Sequence, residues 1–179
     1  MAITDSIEIR TTLAADFNEL NRYFAELSYE TKRRFAPHPE DADTLKAICE
    51  HSYQSDIIPT IAIDTSSSRI VAYTLVKLGL NWFDNDRLKS YGIELSPRSC
   101  ATLAPSVADS YQGKGIGWLI LRWVVEELQK QNRTTIVLWG GVQSDNKKAI
   151  SYYLRNGFKE VGRFEHDGQN IDMIYHHQC

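Results

Sequence analysis

Apolar residues recur along this chain at two spacings, and the change from one to the other marks out its elements. Ile7, Glu8 and Ile9 alternate, as in a short first strand. Leu13, Phe17, Leu20, Phe24 and Leu27 follow at intervals of three and four, the stripe of one helical face. Pro37 and Pro39 flank His38 and end that stripe, since neither ring continues a helix. Asp41 or Asp43 can cap a second helix carrying Leu45, Ile48 and Cys49. Two β-branched runs, residues 57–63 and 70–76, are separated by Ser66-Ser67-Ser68 and predict a hairpin.

Beyond the hairpin, Asn81, Asp84, Asn85, Asp86 and Gly92 intrude on residues 79–93, which read as a connection or an excursion. Residues 99–108 predict another strand. Residues 113–117 open a helix that runs to about residue 132, with Ile116, Leu119, Ile120, Trp123, Val124 and Leu128 as its broad apolar face. Residues 134–142 read as one buried strand and 145–155 as a short helix. Residues 158–164 and 171–175, joined across His166-Asp167-Gly168, predict a final antiparallel pair. The order is strand, two helices, three strands, helix, strand, helix, two strands. That is a mixed α/β pattern with local hairpins and a strand–helix–strand crossover.

Composition narrows the picture. A length of 179 residues suits one domain, and no segment rich in Pro, Gly or Ser divides it, so residues 1–179 are expected to form a single domain. Lys and Arg number 20 against 23 Asp and Glu, a net charge of −3 that excludes a strongly basic nucleic-acid module. Cys49, Cys100 and Cys179 are odd in number and widely spaced, which argues against a disulfide framework and for a reducing compartment. Residues 1–5 lack the basic start of a secretory signal, and no run approaches the roughly 18 apolar residues of a membrane span. A cytoplasmic protein with no membrane partner is expected. His38, His51 and His166 read as surface histidines. His176 and His177 are adjacent at a strand end and point to opposite faces, so no metal site is expected.

The candidate chemistry lies at Gly113, Lys114, Gly115, Ile116 and Gly117, between a strand and an apolar helix. Glycine permits positive φ and leaves no Cβ in a ligand's way. The first N–H groups of the following helix lack intrahelical acceptors and carry the positive end of its dipole. Such a turn suits a phosphate or diphosphate, or serves only as a tight joint. Two other phosphate motifs fit poorly. A P-loop needs Ser or Thr after its Lys, where Gly115 stands here, and the dinucleotide fingerprint spaces its glycines differently and nearer the start of the fold.

Gln112-Gly113-Lys114-Gly115-Ile116-Gly117 resembles the acyl-CoA loop of the GNAT superfamily of N-acetyltransferases, Gln/Arg-x-x-Gly-x-Gly/Ala. A second GNAT pattern, Asn-x-x-Ala-x-x-x-Tyr-x-x-x-Gly-Phe, is matched by Asn146, Ala149, Tyr153, Gly157 and Phe158 with every spacing kept. The resemblance is strongest over residues 99–164, and the element order extends it to most of the chain. It implies a mixed, mostly antiparallel central sheet flanked by helices, with a splayed parallel pair ending near Ala108 and Val142. Tyr29 to Phe35 also resembles a Ser-x-x-x-x-x-Arg-Phe stretch of acetyltransferase domains that act on protein lysines, or is simply a basic helix end.

The resemblance further implies acetyl-CoA as cosubstrate and an amine as acceptor, with a homodimer as an open possibility. The backbone from Gln112 to Gly117 would hold the CoA diphosphate, and Val107 and its neighbours would pair with pantetheine. Attack on the thioester makes an oxyanion, for which the N–H of Val107 or Ala108 is the candidate donor. Tyr153 stands where many members place the acid that protonates the leaving thiolate, against a purely packing role. Asn146 either caps its helix or contacts the cofactor, with Ser144 and Asp145 as rival caps. Glu94 is the carboxylate named for the general base, against a solvated surface role or a water chain. Asp109 occupies a common family proline position and shapes the loop. The alternative to an enzyme is a catalytically silent acyl-CoA sensor of the same fold. A nucleotide-binding module unrelated to CoA is a further rival.

Overall fold

The alternating segment at Ile7 forms β1 (Ile7–Thr11), which pairs antiparallel with β2 (Ile57–Asp64), Ile9 lying opposite Ala62. This computed structural model describes residues 6–35, 37–51 and 53–177. The expectations placed on residues 1–5 and on Cys179 lie outside them. The chain divides into two compact units. One takes the residues up to Val76 together with Ala104–Val124, the other Lys77–Leu103 together with the residues from Val125 onward.

In the first unit, α1 (Phe17–Glu26) buries Leu20, Tyr23 and Phe24 along the predicted stripe. Leu13 leaves that stripe and is 53% exposed, because a 3-10 turn at Ala14–Asp16 separates it from the helix. The Asp16 carboxylate accepts the Leu13 N–H at 2.7 Å and an Arg10 N–H at 2.6 Å, which fixes the turn. Helix α2 (Tyr29–Lys32) is one turn long and capped by Ser28. Helix α3 (Ala42–Cys49) is capped by Asp41, whose Oδ1 accepts the Thr44 N–H at 2.9 Å, and it buries Leu45, Ile48 and Cys49.

β2 and β3 (Arg69–Leu78) meet at the serine turn. There Asp64 Oδ1 accepts the Ser66 N–H at 3.0 Å and the Ser66 hydroxyl at 2.6 Å. β4 (Cys100–Val107) follows later in the chain and leads into α5 (Ile116–Gln129). Ile116 and Ile120 of α5 pack on Ala62, Val71 and Ala72. The two alanines keep the sheet surface low, so the helix can lie close to it.

The surface reading of His38 is wrong. Its ring is buried among Phe24, Phe35 and Tyr73, with centroids 5.7, 5.6 and 5.6 Å away. Burial pushes its pKa down, and its Nδ1 lies 2.7 Å from the Pro39 carbonyl. A carbonyl only accepts, so Nδ1 holds the proton and Nε2 accepts from the Tyr73 hydroxyl at 3.1 Å. The flanking prolines point to a loop, but the aromatic neighbours that draw the ring inward come from other elements.

In the second unit, residues 79–93 are not a plain connection. They contain α4 (Trp82–Ser90), whose buried positions are Asp84 and Leu88. Asp84 accepts from Arg87 at 2.5 Å, from Asn81 at 3.2 Å and from the Gly140 N–H at 3.2 Å. Arg87 pairs twice with Asp172, at 3.0 and 2.9 Å, and its guanidinium lies 3.8 Å from the centre of the Phe164 ring. The Tyr91 hydroxyl donates to the same Asp172 carboxylate at 2.9 Å. Each buried charge has a partner, the condition under which burial is tolerated. Beside this network, Leu88 packs with Val137 and Ile174.

The single strand expected over residues 134–142 is two strands, β5 (Thr135–Leu138) and β6 (Val142–Gln143). Between them Gly140 and Gly141 take positive φ, 66° and 69°. A Cβ at position 141 would lie 2.7 Å from the Ile171 carbonyl oxygen, so only glycine fits. Both strands pair antiparallel with β8 (Gln169–His176), and β7 (Lys159–Glu165) also pairs with β8. Helix α6 (Lys147–Arg155) precedes β7. β4 runs parallel to β5 from Cys100 opposite Thr135 to Leu103 opposite Leu138.

Hydrogen-bonded neighbours run β1-β2-β3-β4 and then β4-β5-β8, with β6 and β7 also on β8. The result is the expected mixed α/β fold: a mostly antiparallel sheet of eight strands with one parallel pair, β4–β5, and six α-helices among the described residues. Among those residues no helix is long and apolar enough to cross a membrane, and no group of three or more His, Cys, Asp or Glu is placed to hold a metal ion.

Candidate active site

The glycine loop belongs to the first unit. The Ala108 N–H donates to the Val71 carbonyl at 2.9 Å, which holds the end of β4 to β3. Successive residues of a strand turn their backbone groups to opposite edges. Val107 therefore directs its N–H and C=O away from β3. Of the two candidate donors, the Ala108 N–H is thus engaged within the sheet and the Val107 N–H faces the other edge. The Val107 carbonyl accepts from Gln112 Nε2 at 3.2 Å, so the motif glutamine ties the loop to its own strand.

A 3-10 turn at Asp109–Tyr111 follows, and the Tyr111 hydroxyl donates to Asp64 Oδ2 at 2.7 Å. Gly113 and Gly115 then take φ of 76° and 85°, values that L side chains rarely adopt. The Gly115 carbonyl accepts from the N–H groups of Trp118 and Leu119 at 3.1 and 3.2 Å, and α5 begins there. The N–H groups of Gly113, Lys114 and Gly115 find no acceptor among the described residues. Ile116 is 1% exposed, so only its backbone can serve a ligand, and Gly117 lies in the first helical turn. The Lys114 ammonium lies 5.2 Å from the centre of the Tyr111 ring, on the exposed side of the loop.

Asp109 makes the loop's farthest connection. Its Oδ2 accepts the Ser28 N–H at 2.9 Å, and its Oδ1 accepts the hydroxyls of Ser28 at 2.8 Å and Thr31 at 2.7 Å. Partial burial would raise the carboxyl's pKa, but these bonds outweigh it and hold the group below the usual range. Ser28 and Thr31 have no counterpart among the sequence-derived site residues. The partners are 81 and 78 positions apart in the chain, and no local spacing announces such a pair.

Asn146, Tyr153 and Glu94 belong to the second unit. Asn146 is the cap of α6, its Oδ1 accepting the Ala149 N–H at 3.2 Å, which decides the choice among residues 144–146. The motif's Asn-x-x-Ala spacing is thus the reach of an N-cap side chain to the third helical N–H. Tyr153 is buried, its ring edge-on to Phe158 and Tyr152 at 5.1 and 5.2 Å. Its hydroxyl has no hydrogen-bond partner among the described residues, and burial pushes its pKa well up, so the phenol keeps its proton. Glu94 is exposed in the segment between α4 and β4. Among the aromatic residues, Tyr23 and Phe35 are buried while Tyr29 and Trp82 are 76% and 77% exposed.

The first unit thus carries a strand that ends in a glycine loop with N–H groups open to an anion, and the second carries a buried tyrosine on a capped helix. The sequence matches the acetyltransferase (GNAT) family over residues 30–158, well over half of the chain, and the protein belongs to that family. An uncharacterised N-acetyltransferase from Methanocaldococcus jannaschii is 32% identical over 81 residues, which is 45% of this chain and 31% of that protein. The chain thus spans about a third of that relative's length.

Solved structures share the fold. The GNAT domain of S. lividans PAT superposes with a TM-score of 0.74 at 18% identity, covering 95% of this chain and 90% of that one. Ribosomal-protein-S5-alanine acetyltransferase from Vibrio fischeri gives 0.73 at 14% identity, covering 96% and 93%. An aminoglycoside acetyltransferase crystallised with coenzyme A and kanamycin gives 0.70 at 21% identity, covering 96% and 95%.

Proposed function

We propose that this protein is an acetyl-CoA-dependent N-acetyltransferase that moves an acetyl group to a primary amine of a small molecule or a protein, with residues 1–179 acting as one domain. The observation that carries this reading is the glycine loop. The N–H groups of Gly113, Lys114 and Gly115 have no acceptor among the described residues, and the start of α5 adds the positive end of a helix dipole. In this proposal the backbone from Gln112 to Gly117 holds the CoA diphosphate, with Lys114 adding charge. Val107 offers its N–H to pantetheine or to the oxyanion.

Acyl transfer needs a neutral amine, because an alkylammonium with a pKa near 10.4 has no free lone pair. Glu94, acting directly or through water, takes that proton. The amine attacks the thioester carbon, the tetrahedral oxyanion collapses, and the C–S bond breaks. Tyr153 gives its proton to the departing thiolate, a role suited to a phenol that burial keeps protonated, and the second proton shed by the nitrogen as it becomes an amide restores the phenol by way of solvent. Asn146, with Oδ1 engaged as the cap, offers its Nδ2 group to the cofactor.

Calorimetry with acetyl-CoA, followed by a panel of amines assayed by free-thiol release, tests the reading. Binding with turnover of at least one amine is expected. Binding without turnover across the panel favours the silent acyl-CoA sensor, and failure to bind acetyl-CoA overturns the loop assignment.

A further inference from the structure

We propose that Asp109 is a positioning residue that latches the anion loop to helix α2, so that loop order, cosubstrate affinity and the order of residues 28–31 are linked. The inference rests on the assignment of the glycine loop to the CoA diphosphate. By charge alone Asp109 is out of place, since a carboxylate at the mouth of a loop that receives a multiply charged anion repels the ligand. Its geometry gives it another task. Its two oxygens take three donors, the Ser28 N–H, the Ser28 hydroxyl and the Thr31 hydroxyl, at 2.9, 2.8 and 2.7 Å.

A second link closes the arrangement. Gln112 Nε2 lies 3.3 Å from Thr31 Oγ1 and 3.2 Å from the Val107 carbonyl oxygen. Asp109, the first residue of the 3-10 turn, and Gln112, directly after it, are therefore both fastened to Thr31. Helix α2 has four residues, too few to hold itself in water. Ser28 both caps α2, accepting the Thr31 N–H at 3.2 Å, and donates twice to Asp109. Cut at Asp109, the loop loses its outer anchor and α2 loses the partner of its cap. The N–H groups of Gly113, Lys114 and Gly115 would then have to be ordered by the ligand itself, which lowers affinity. Because linkage is reciprocal, a bound diphosphate should also slow the opening of residues 28–31.

The latch and simple charge repulsion predict opposite signs, which makes the test decisive. Calorimetry is run with CoA on the wild type, Asp109→Ala, Asp109→Asn and Ser28→Ala, alongside amide hydrogen exchange with and without CoA. Asp109→Ala should bind CoA about tenfold more weakly, the scale of hydrogen bonds to a charged group, with Asp109→Asn intermediate. Amides of residues 28–33 should exchange faster in ligand-free Asp109→Ala than in the wild type. CoA should protect them in the wild type and not in the variant. Losses in Ser28→Ala and Asp109→Ala should fail to add when combined.

Unchanged or tighter CoA binding by Asp109→Ala overturns the latch, and so does exchange at residues 28–33 that ignores the substitution. Should Asp109→Ala not fold, Asp109→Asn and Ser28→Ala carry the same comparisons. A wild type that does not bind CoA removes the parent assignment instead, while the ligand-free exchange still decides whether Asp109 orders α2.

Discussion

Tyr153 joins a tightly packed ring to a hydroxyl with no hydrogen-bond partner among the described residues. A tyrosine kept only for packing loses little when the oxygen is removed, whereas a proton donor loses its function. In Tyr153→Phe, kcat should fall by about 100-fold or more while CoA affinity changes less than twofold. Thiol-release kinetics and calorimetry read the two quantities separately, and an unchanged kcat removes Tyr153 from the chemistry. Because burial raises the phenol's pKa, the acid form should persist well into the alkaline range, with no loss of kcat assignable to this group below about pH 10. At this scale the sequence is legible where a residue's partners are near in the chain. Asn146 and Ala149 are three apart, and their spacing is a cap. Asp109 is different, because its partners Ser28 and Thr31 reach it only after the chain has folded back.

At the scale of elements, the hairpin of β2 and β3 shows how one carboxylate serves two joints. Asp64 closes the serine turn and also receives the Tyr111 hydroxyl from the approach to the glycine loop. Hydrogen bonds from the Ser66 and Tyr111 hydroxyls hold its pKa down at about 2. An unfolded Asp titrates near 3.9. The stability these bonds confer is therefore complete above about pH 4 and is lost as the pH falls toward 2. Asp64→Asn should be less stable than the wild type at neutral pH, and its urea midpoint should fall less steeply between about pH 4 and pH 2. Parallel slopes for the two proteins would sink the assignment.

The helices α1, α3 and α5 are legible because apolar residues repeat on one face. Helix α4 is not, because its buried positions are one leucine and one carboxylate, and the sequence does not reveal that Asp172 and Gly140 wait for that face. The break between β5 and β6 is hidden in the same way. An apolar run looks continuous, and nothing within residues 134–142 tells that the Ile171 carbonyl comes close to Gly141.

For the molecule as a whole, the proposed cosubstrate should report itself through stability. A ligand bound only by the folded chain at about 100 times its Kd stabilises by about 2.7 kcal/mol. In a chain of this size that raises Tm by about 5–10 °C. Acetyl-CoA should produce such a shift, ATP at the same concentration should not, and Gly115→Glu should abolish it by placing bulk and negative charge where the diphosphate belongs. An equal response to ATP would favour a general nucleotide site. Most of the order of strands and helices could be read in advance, because it rests on local spacing. The latch and the buried ion pairs could not, because they depend on which distant segments become neighbours.

On β7, a Cβ at position 162 would fall 2.3 Å from the ring of Tyr91. That ring presents the hydroxyl bound to Asp172, the carboxylate that also neutralises Arg87. Even a methyl group there would act as a wedge on the aromatic ring, and the disturbance would pass into the charges behind it. In a saturation library selected for folded protein, replacements at position 162, alanine included, should be depleted because each displaces Tyr91 from Asp172, although the position lies on a strand whose neighbours Lys159 and Glu160 are open to water. The narrowest tolerance in this part of the chain would then belong to a residue with no side chain.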